Sequence, residues 1–158
     1  MDSTISSLSP TDKTIVRLLM EDGRLTHEQI AKEVHLSRPA VHERIKKLES
    51  TGVLKGYRAV VDWEAIGLPV SAFISIETTG HHHTVGKDIC ALRRQDVQVQ
   101  ECHVIIGRWC LLVHVRAASM AALEKFLGEV VENKGVVRKE TTIALSECEV
   151  NEVKGEMK

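Results

Sequence analysis

Leu36-Ser37-Arg38-Pro39-Ala40-Val41-His42-Glu43-Arg44-Ile45-Lys46-Lys47-Leu48-Glu49 decides the fold of the N-terminal half. Ser37 is a good helix cap, and Pro39 is tolerated in a first helical turn, where its missing N–H would have no partner anyway. Val41, Ile45 and Leu48 recur at helical spacing, which predicts a buried edge. The other side offers Arg38, Ala40, His42, Glu43, Lys46 and Lys47. A helix with one apolar edge and a basic outer face suits the major groove of duplex DNA, its first residues near base edges. A merely solvated helix face looks similar, so the neighbouring segments must arbitrate.

Working toward the N-terminus, Thr26 with Gln29 three residues on forms a capping box opening a short helix, with Ile30, Ala31 and Val34 facing inward. His35-Leu36 turns the chain between the two helices. Before that, Ser9-Pro10-Thr11-Asp12 begins a first helix carrying Ile15, Leu18 and Leu19, and Asp22-Gly23 stops it. Toward the C-terminus, Gly52 ends the third helix. The β-rich run Val53 to Asp62, interrupted by Gly56, predicts a small hairpin, or wing. Three short capped helices and a hairpin make a winged helix-turn-helix. Its candidate DNA contacts are Ser37, Arg38, Pro39, Ala40, His42, Glu43, Lys46 and Lys47, with Lys55 and Arg58 on the wing. Arg38 and His42 are expected at base edges, and Lys46, Lys47 and Arg58 at phosphates.

From Val70 the periodicity changes. Val70 to Thr79 alternates like a strand, and Thr84 to Gln95 is helical with Val85, Ile89 and Leu92 on one side. Val97 to Ile106 and Cys110 to Arg116 read as strands joined at Gly107-Arg108, a pair suited to a type II′ turn. Ser119 caps a helix whose apolar face holds Met120, Leu123, Phe126, Leu127, Val130 and Val131. Asn133-Lys134-Gly135 stops it before a last strand, Val136 to Ser146. The order βαββαβ is the split βαβ of ferredoxin-like domains, so the class is α+β. The expected division is 1–61 for the winged helix-turn-helix, 62–69 for a hinge, 70–150 for the ferredoxin-like domain and 151–158 for a tail. A turn at Gly107-Arg108 sets residues 103 and 112 opposite one another. It also points Leu111, Val113 and Val115 toward the helices and Cys110, Leu112, His114 and Arg116 the other way. That second face, with His103 and Ile105, is too mixed for a monomer core and too apolar for full exposure, so burial in a homodimer is expected.

The bulk properties exclude more than they assign. The formal net charge is −1, so whole-chain charge selects no partner. Locally, Arg38, Arg44, Lys46, Lys47, Lys55 and Arg58 face only Glu43 and Glu49, the footprint of a phosphate-contacting element. No apolar run is long enough for a membrane span, and the polar opening is unlike a secretion signal, so a cytoplasmic protein is expected. Cys90, Cys102, Cys110 and Cys148 form no CxxC pair and read as buried small hydrophobes in a reducing compartment. His81-His82-His83, His103 and His114 are metal-ligand types, but no tight spacing assigns them a metal. No nucleophile–base–acid grouping or phosphate loop is present, so neither an enzyme nor a cofactor is expected.

These segments resemble the Lrp/AsnC, or feast/famine, transcriptional regulators. Leu8 to Leu19 resembles the family's opening helix, Asp22 to Thr26 its link to the second helix, and Leu36 to Glu49 its recognition helix. Gly52-Val53-Leu54-Lys55-Gly56-Tyr57, then Val61-Asp62 and Ile66-Gly67, are similar to its wing and hinge. The resemblance implies a sequence-specific regulator of double-stranded DNA, a homodimer or higher homo-oligomer (tetramer or octamer), with a small-molecule effector such as an amino acid or related metabolite. Effector contacts are expected at Gly107, Arg108, Trp109 and Cys110. Amino-acid-sensing members commonly carry Gly-x-x-Asp there, and Cys110 replaces the acid, which weakens recognition of a ligand ammonium. Two alternatives follow: an architectural DNA-binding protein with little ligand response, or a metal- or thiol-responsive regulator.

Overall fold

A computed structural model describes residues 8–132 and 135–146, and of Val131 only its backbone. Asn133, Lys134, Cys148, the 151–158 tail and the side chain of Val131 lie outside that description. The chain divides into two compact units, 1–60 and 61–158.

The first unit consists of α1 (Pro10–Glu21), α2 (His27–Glu33) and α3 (Arg38–Ser50). Each starts on the cap its sequence supplies. Ser9 Oγ accepts from Asp12 N at 3.1 Å, and Ser37 Oγ from Ala40 N at 3.4 Å. Thr26 Oγ1 accepts from Gln29 N while Gln29 Oε1 accepts from Thr26 N, completing the capping box. Helices this short are unstable alone, so their persistence depends on a shared core. Ile15, Leu19, Ile30, Ala31, Val41, Ile45 and Leu48 supply it.

The wing does not form among the described residues. Gly52, at φ 72°, lets Val53 and Leu54 both donate to Leu48 O, but residues 55–61 take no strand. Gly56 at φ 143° does not build a tight hairpin turn, and β-rich residues become strands only where a backbone edge accepts them. The segment is instead tethered by one side chain: Tyr57 Oη donates to Glu49 Oε1 at 3.3 Å.

The second unit runs β1 (Val70–Thr78), α4 (His82–Ala91), β2 (Val97–Val104), β3 (Leu111–Ala117), α5 (Met120–Glu132) and β4 (Val136–Ala144). The strands form one antiparallel sheet in the order β2-β3-β1-β4. Ala72, Ile74 and Ile76 of β1 and Leu111, Val113 and Val115 of β3 point to one face, where they meet Val85, Ile89, Leu123, Phe126 and Val130 of the two helices. Alternation sends their neighbours to the uncovered face.

His103 pairs with Leu112, the expected register. The turn, however, is longer than two residues. Ile105 N donates to Cys110 O at 3.0 Å, so Ile106 to Trp109 form the loop, with Gly107 at φ 147°. Cys110 is held in the sheet because its own N–H donates to Ile76 O at 2.9 Å. A bulge at Gln100 separates the pairs Val99–Val115 and Glu101–His114. It shifts the alternation by one, placing Cys102, opposite Val113, on the helix side.

α4 begins at His82 and ends at Ala91, earlier than the expected 84–95. His81, in the left-handed region at φ 54°, precedes it, and His82 Nδ1 bonds Thr78 Oγ1 at 2.9 Å. The apolar face of α5 starts at Ala122, since Met120 is exposed. Phe126 is 1% exposed at the centre of this core. Phe126→Ala is expected to lower unfolding stability by about 3–5 kcal/mol. Urea denaturation read by circular dichroism will check it, and a loss below about 1 kcal/mol would mean the core is not centred there.

Candidate nucleic-acid interface

α3 presents the predicted face. Val41, Ile45 and Leu48 are buried, whereas Arg38, Pro39, His42, Glu43, Lys46 and Lys47 are exposed. Ser37, also exposed, serves as the N-cap, and Ala40 is half-buried. Arg38, His42 and Lys46 follow one another at intervals of four, so they line one stripe of the helix. Lys55 and Arg58 are exposed on the irregular segment rather than on a wing strand.

One basic residue of α3 is turned to another task. Arg44 Nη1 donates to Asp12 Oδ1 at 2.8 Å and lies 3.4 Å from Ser9 Oγ, tying the third helix to the start of the first. Partial burial pushes the Asp12 carboxyl up. The Ser9 hydrogen bond, the Arg44 hydrogen bond and the Arg44 and Lys47 charges outweigh it and hold the group below its ordinary value. Sequence spacing also missed His27, whose ring centroid lies 5.2 Å from that of His42. That contact joins the first residue of α2 to the middle of the basic stripe, and helix-by-helix periodicity carries no signal for it.

In the second unit the four candidate effector residues share the β2–β3 loop. Arg108 lies 5.2 Å from the Trp109 ring, and Arg138 of β4 lies 5.0 Å from the same ring. Arg138 also pairs with Glu77 of β1 at 3.0 Å. The Trp109 ring of the loop therefore lies beside two guanidinium groups, one from the loop and one from β4, and the sequence reading singles out only Arg108. A separate cleft of about 280 Å³ has Asp62, Trp63, Glu64, Ser71 and Arg116 among its walls, and the 107–110 loop does not line it. Loop and cleft are thus distinct places.

The uncovered sheet face is mixed, as expected. Phe73 stacks on His114 with ring centroids 4.4 Å apart and planes 9° from parallel. His114 Nε2 shares a 3.0 Å hydrogen bond with Ser71 Oγ. Burial first, then the Arg116 charge, holds this imidazole below its ordinary value, against the pull of Glu101. His103 Nε2 bonds Glu101 Oε2 at 3.0 Å. Among the described residues, no three His, Cys, Asp or Glu side chains converge as a metal site would require, and no helix is long and apolar enough to cross a membrane.

Comparison with known proteins places both units. A model described as the AsnC-type helix-turn-helix domain matches residues 8–49, and one described as the Lrp/AsnC ligand binding domain matches residues 71–153. The chain is 35% identical over 140 residues to the HTH-type transcriptional regulator LrpA of Mycobacterium tuberculosis, covering 89% of this chain and 91% of that one. Among solved structures it is similar to Bacillus subtilis LrpC, with a TM-score of 0.77 at 28% identity over 90% of this chain and 98% of that one. A Neisseria meningitidis transcriptional regulator solved as a complex with L-Met matches with a TM-score of 0.78 at 25% identity, covering 90% of this chain and 93% of that one.

The Asp12–Arg44 pair generates a pH prediction. A carboxyl held below its ordinary value of 3.8 adds stability above that value, and the addition is lost as pH falls through the lowered one. Asp12→Asn should therefore destabilise the chain at neutral pH, and its urea midpoint should converge on that of the wild type as pH falls below the ordinary carboxyl value. A gap that stays constant on acidification would show that Asp12 acts other than as the charged partner of Arg44.

Proposed function

The chain belongs to the Lrp/AsnC family of transcriptional regulators, with a DNA-binding helix-turn-helix and a ligand-binding domain, and from that premise we propose how its own residues read DNA and respond. The protein is a regulator, not an enzyme. It acts in the cytoplasm as a homo-oligomer on a sequence-specific operator. Arg38 and His42 meet base edges, Lys46 and Lys47 meet phosphates, and Lys55 and Arg58 reach the flanking backbone. One observation carries this: the basic stripe of α3 is exposed while Arg44, the remaining cation of that helix, is tied back to Asp12.

The second unit supplies assembly and response. A second copy covers the sheet face bearing Phe73, Leu112 and His114, which sets two recognition helices on successive half-sites of a roughly palindromic operator. The effector is an amino acid or related metabolite held at the 107–110 loop. There Arg108 and Arg138 favour a carboxylate, while the Cys110 thiol offers no anion to an ammonium group. The Neisseria relative solved with L-Met supports that ligand class. Binding would favour one assembly over another by its differential affinity for them. The Cys110 substitution also favours a second reading, an architectural DNA-binding protein with little ligand response. Gel shifts with and without free amino acids separate the two.

Arg38→Ala combined with Lys46→Ala should weaken operator binding by roughly tenfold or more while thermal unfolding stays unchanged. Unaltered affinity in the double variant would remove α3 as the reading element. Light scattering of the full chain should give a dimer or larger species. A clean monomer at micromolar concentration would contradict the assembly reading.

A further inference from the structure

The strand bulge at Gln100 turns Cys102 toward the helix layer, and what it meets there is a second thiol. Cys90 lies in the last turn of α4, one helical turn after Gly86. A Cβ at position 86 would sit 3.3 Å from Cys102 Sγ, so this face of α4 rests on that sulfur with no side chain between. Residues four apart on a helix share a face, which brings Cys90 beside the same atom. Cys90 is close enough to act on the Cys102 thiol electrostatically. Both are half-buried, neither sealed from solvent nor freely exposed. Cys110 directly precedes the helix-facing Leu111, so alternation turns it to the opposite side of the sheet, its N–H bonded to Ile76 O, and it does not compete for either sulfur.

We propose that Cys90 and Cys102 are a dithiol site that hydrogen peroxide oxidises to a disulfide, giving the second unit a redox response separate from its small-molecule effector. The proposal does not depend on DNA or effector binding. Burial foremost, and then the neighbouring Cys90, push the Cys102 thiol up to about 12. It therefore stays protonated at neutral pH, and the first attack falls to Cys90. The Cys90 thiolate attacks one peroxide oxygen, the O–O bond breaks, and the departing hydroxide takes a proton to leave as water. Cys90 becomes a sulfenic acid. The Cys102 sulfur then attacks the Cys90 sulfur. The S–O bond breaks, and the thiol proton leaves with the hydroxyl as a second water. Two thiols have lost two electrons and two protons, and one peroxide has become two waters. A dithiol reductant reverses the bond.

The product ties the end of α4 to β2 beside the bulge and closes the Leu92–Asp96 connection into a loop. Restricting that loop in the unfolded chain raises stability.

The test is made on the full chain treated with hydrogen peroxide under native conditions. Mass spectrometry should show a loss of about 2 Da per chain. Digestion without reductant should yield a peptide pair joined through Cys90 and Cys102, and dithiothreitol should restore the starting mass. Cys90→Ser and Cys102→Ser should each abolish the change, whereas Cys110→Ser should retain it. The unfolding midpoint of the oxidised wild type should rise by about 5 °C. Sulfinic acids, or disulfides between chains, with no Cys90–Cys102 linkage in the wild type would overturn the proposal. So would loss of the 2 Da change in Cys110→Ser.

Discussion

Ile74, Ile76, Val113 and Val115 all project from one side of a four-stranded sheet, and helices cover that side alone. This one-sided burial constrains everything else in the second unit. Strand alternation obliges the residues between them, Phe73, Ser75, Leu112 and His114, to occupy the other face. No segment among the described residues shields that face with a helix layer of its own. An apolar ring stacked on an imidazole is poorly served by water, and the imidazole is already disfavoured as a cation there. A like sheet face from another copy would bury both without requiring a charge to be left unpaired.

The same logic shapes α3. Its three buried residues fix one edge in the core, and helical geometry gives the remaining positions no choice but solvent. What geometry does not dictate is which cations stay available. Arg44 adds to the cation count of the segment, yet it lies off the basic stripe and spans to Asp12, so it contributes to the packing of α1 against α3. Charge count over a segment therefore overstates the surface open to phosphate. The pairing partner lies 32 residues away in sequence, too far for any local rule to find.

Features written in local chemistry were readable from the residues alone. Caps at Ser9, Thr26 and Ser37 start the helices where hydroxyl and amide groups predict. The pairing of His103 with Leu112 follows from the position of Gly107 and the hydrophobic alternation of β3. Features that depend on what a segment meets were not. The wing was inferred from β propensity at Val53, Tyr57, Val60 and Val61, but propensity describes fitness for a sheet edge and cannot supply one. The Gln100 bulge leaves no mark in a run of alternating residues, and the Ile106 to Trp109 loop is longer than the Gly107-Arg108 pair suggests. Nothing near Trp109 in sequence announces Arg138.

The bulge also explains why the cysteines resist a sequence reading. Count alternation strictly from Val97, and Cys102 falls among the open-face residues, far from any helix. Count from Gly107, and it faces the helices. Only the second is right, because the extra residue absorbs the mismatch between the two ends of β2. A strand that needs one additional residue to bring a thiol against a glycine-lined helix face has given up a ladder pairing to do so. Cysteine used purely as a small hydrophobe does not require a sulfur partner, since alanine or valine would pack as well. The arrangement also sets two chemically different groups on one hairpin: the β2 strand carries the thiol, and the loop that follows carries the guanidinium and the indole. Each could bias the hairpin only through its own contacts, the thiol pair by a covalent constraint on the α4 side and the loop by affinity for the proposed ligand. With both proposed responses present, oxidant and metabolite would enter as independent terms in one local free energy, additive unless the hairpin itself moves.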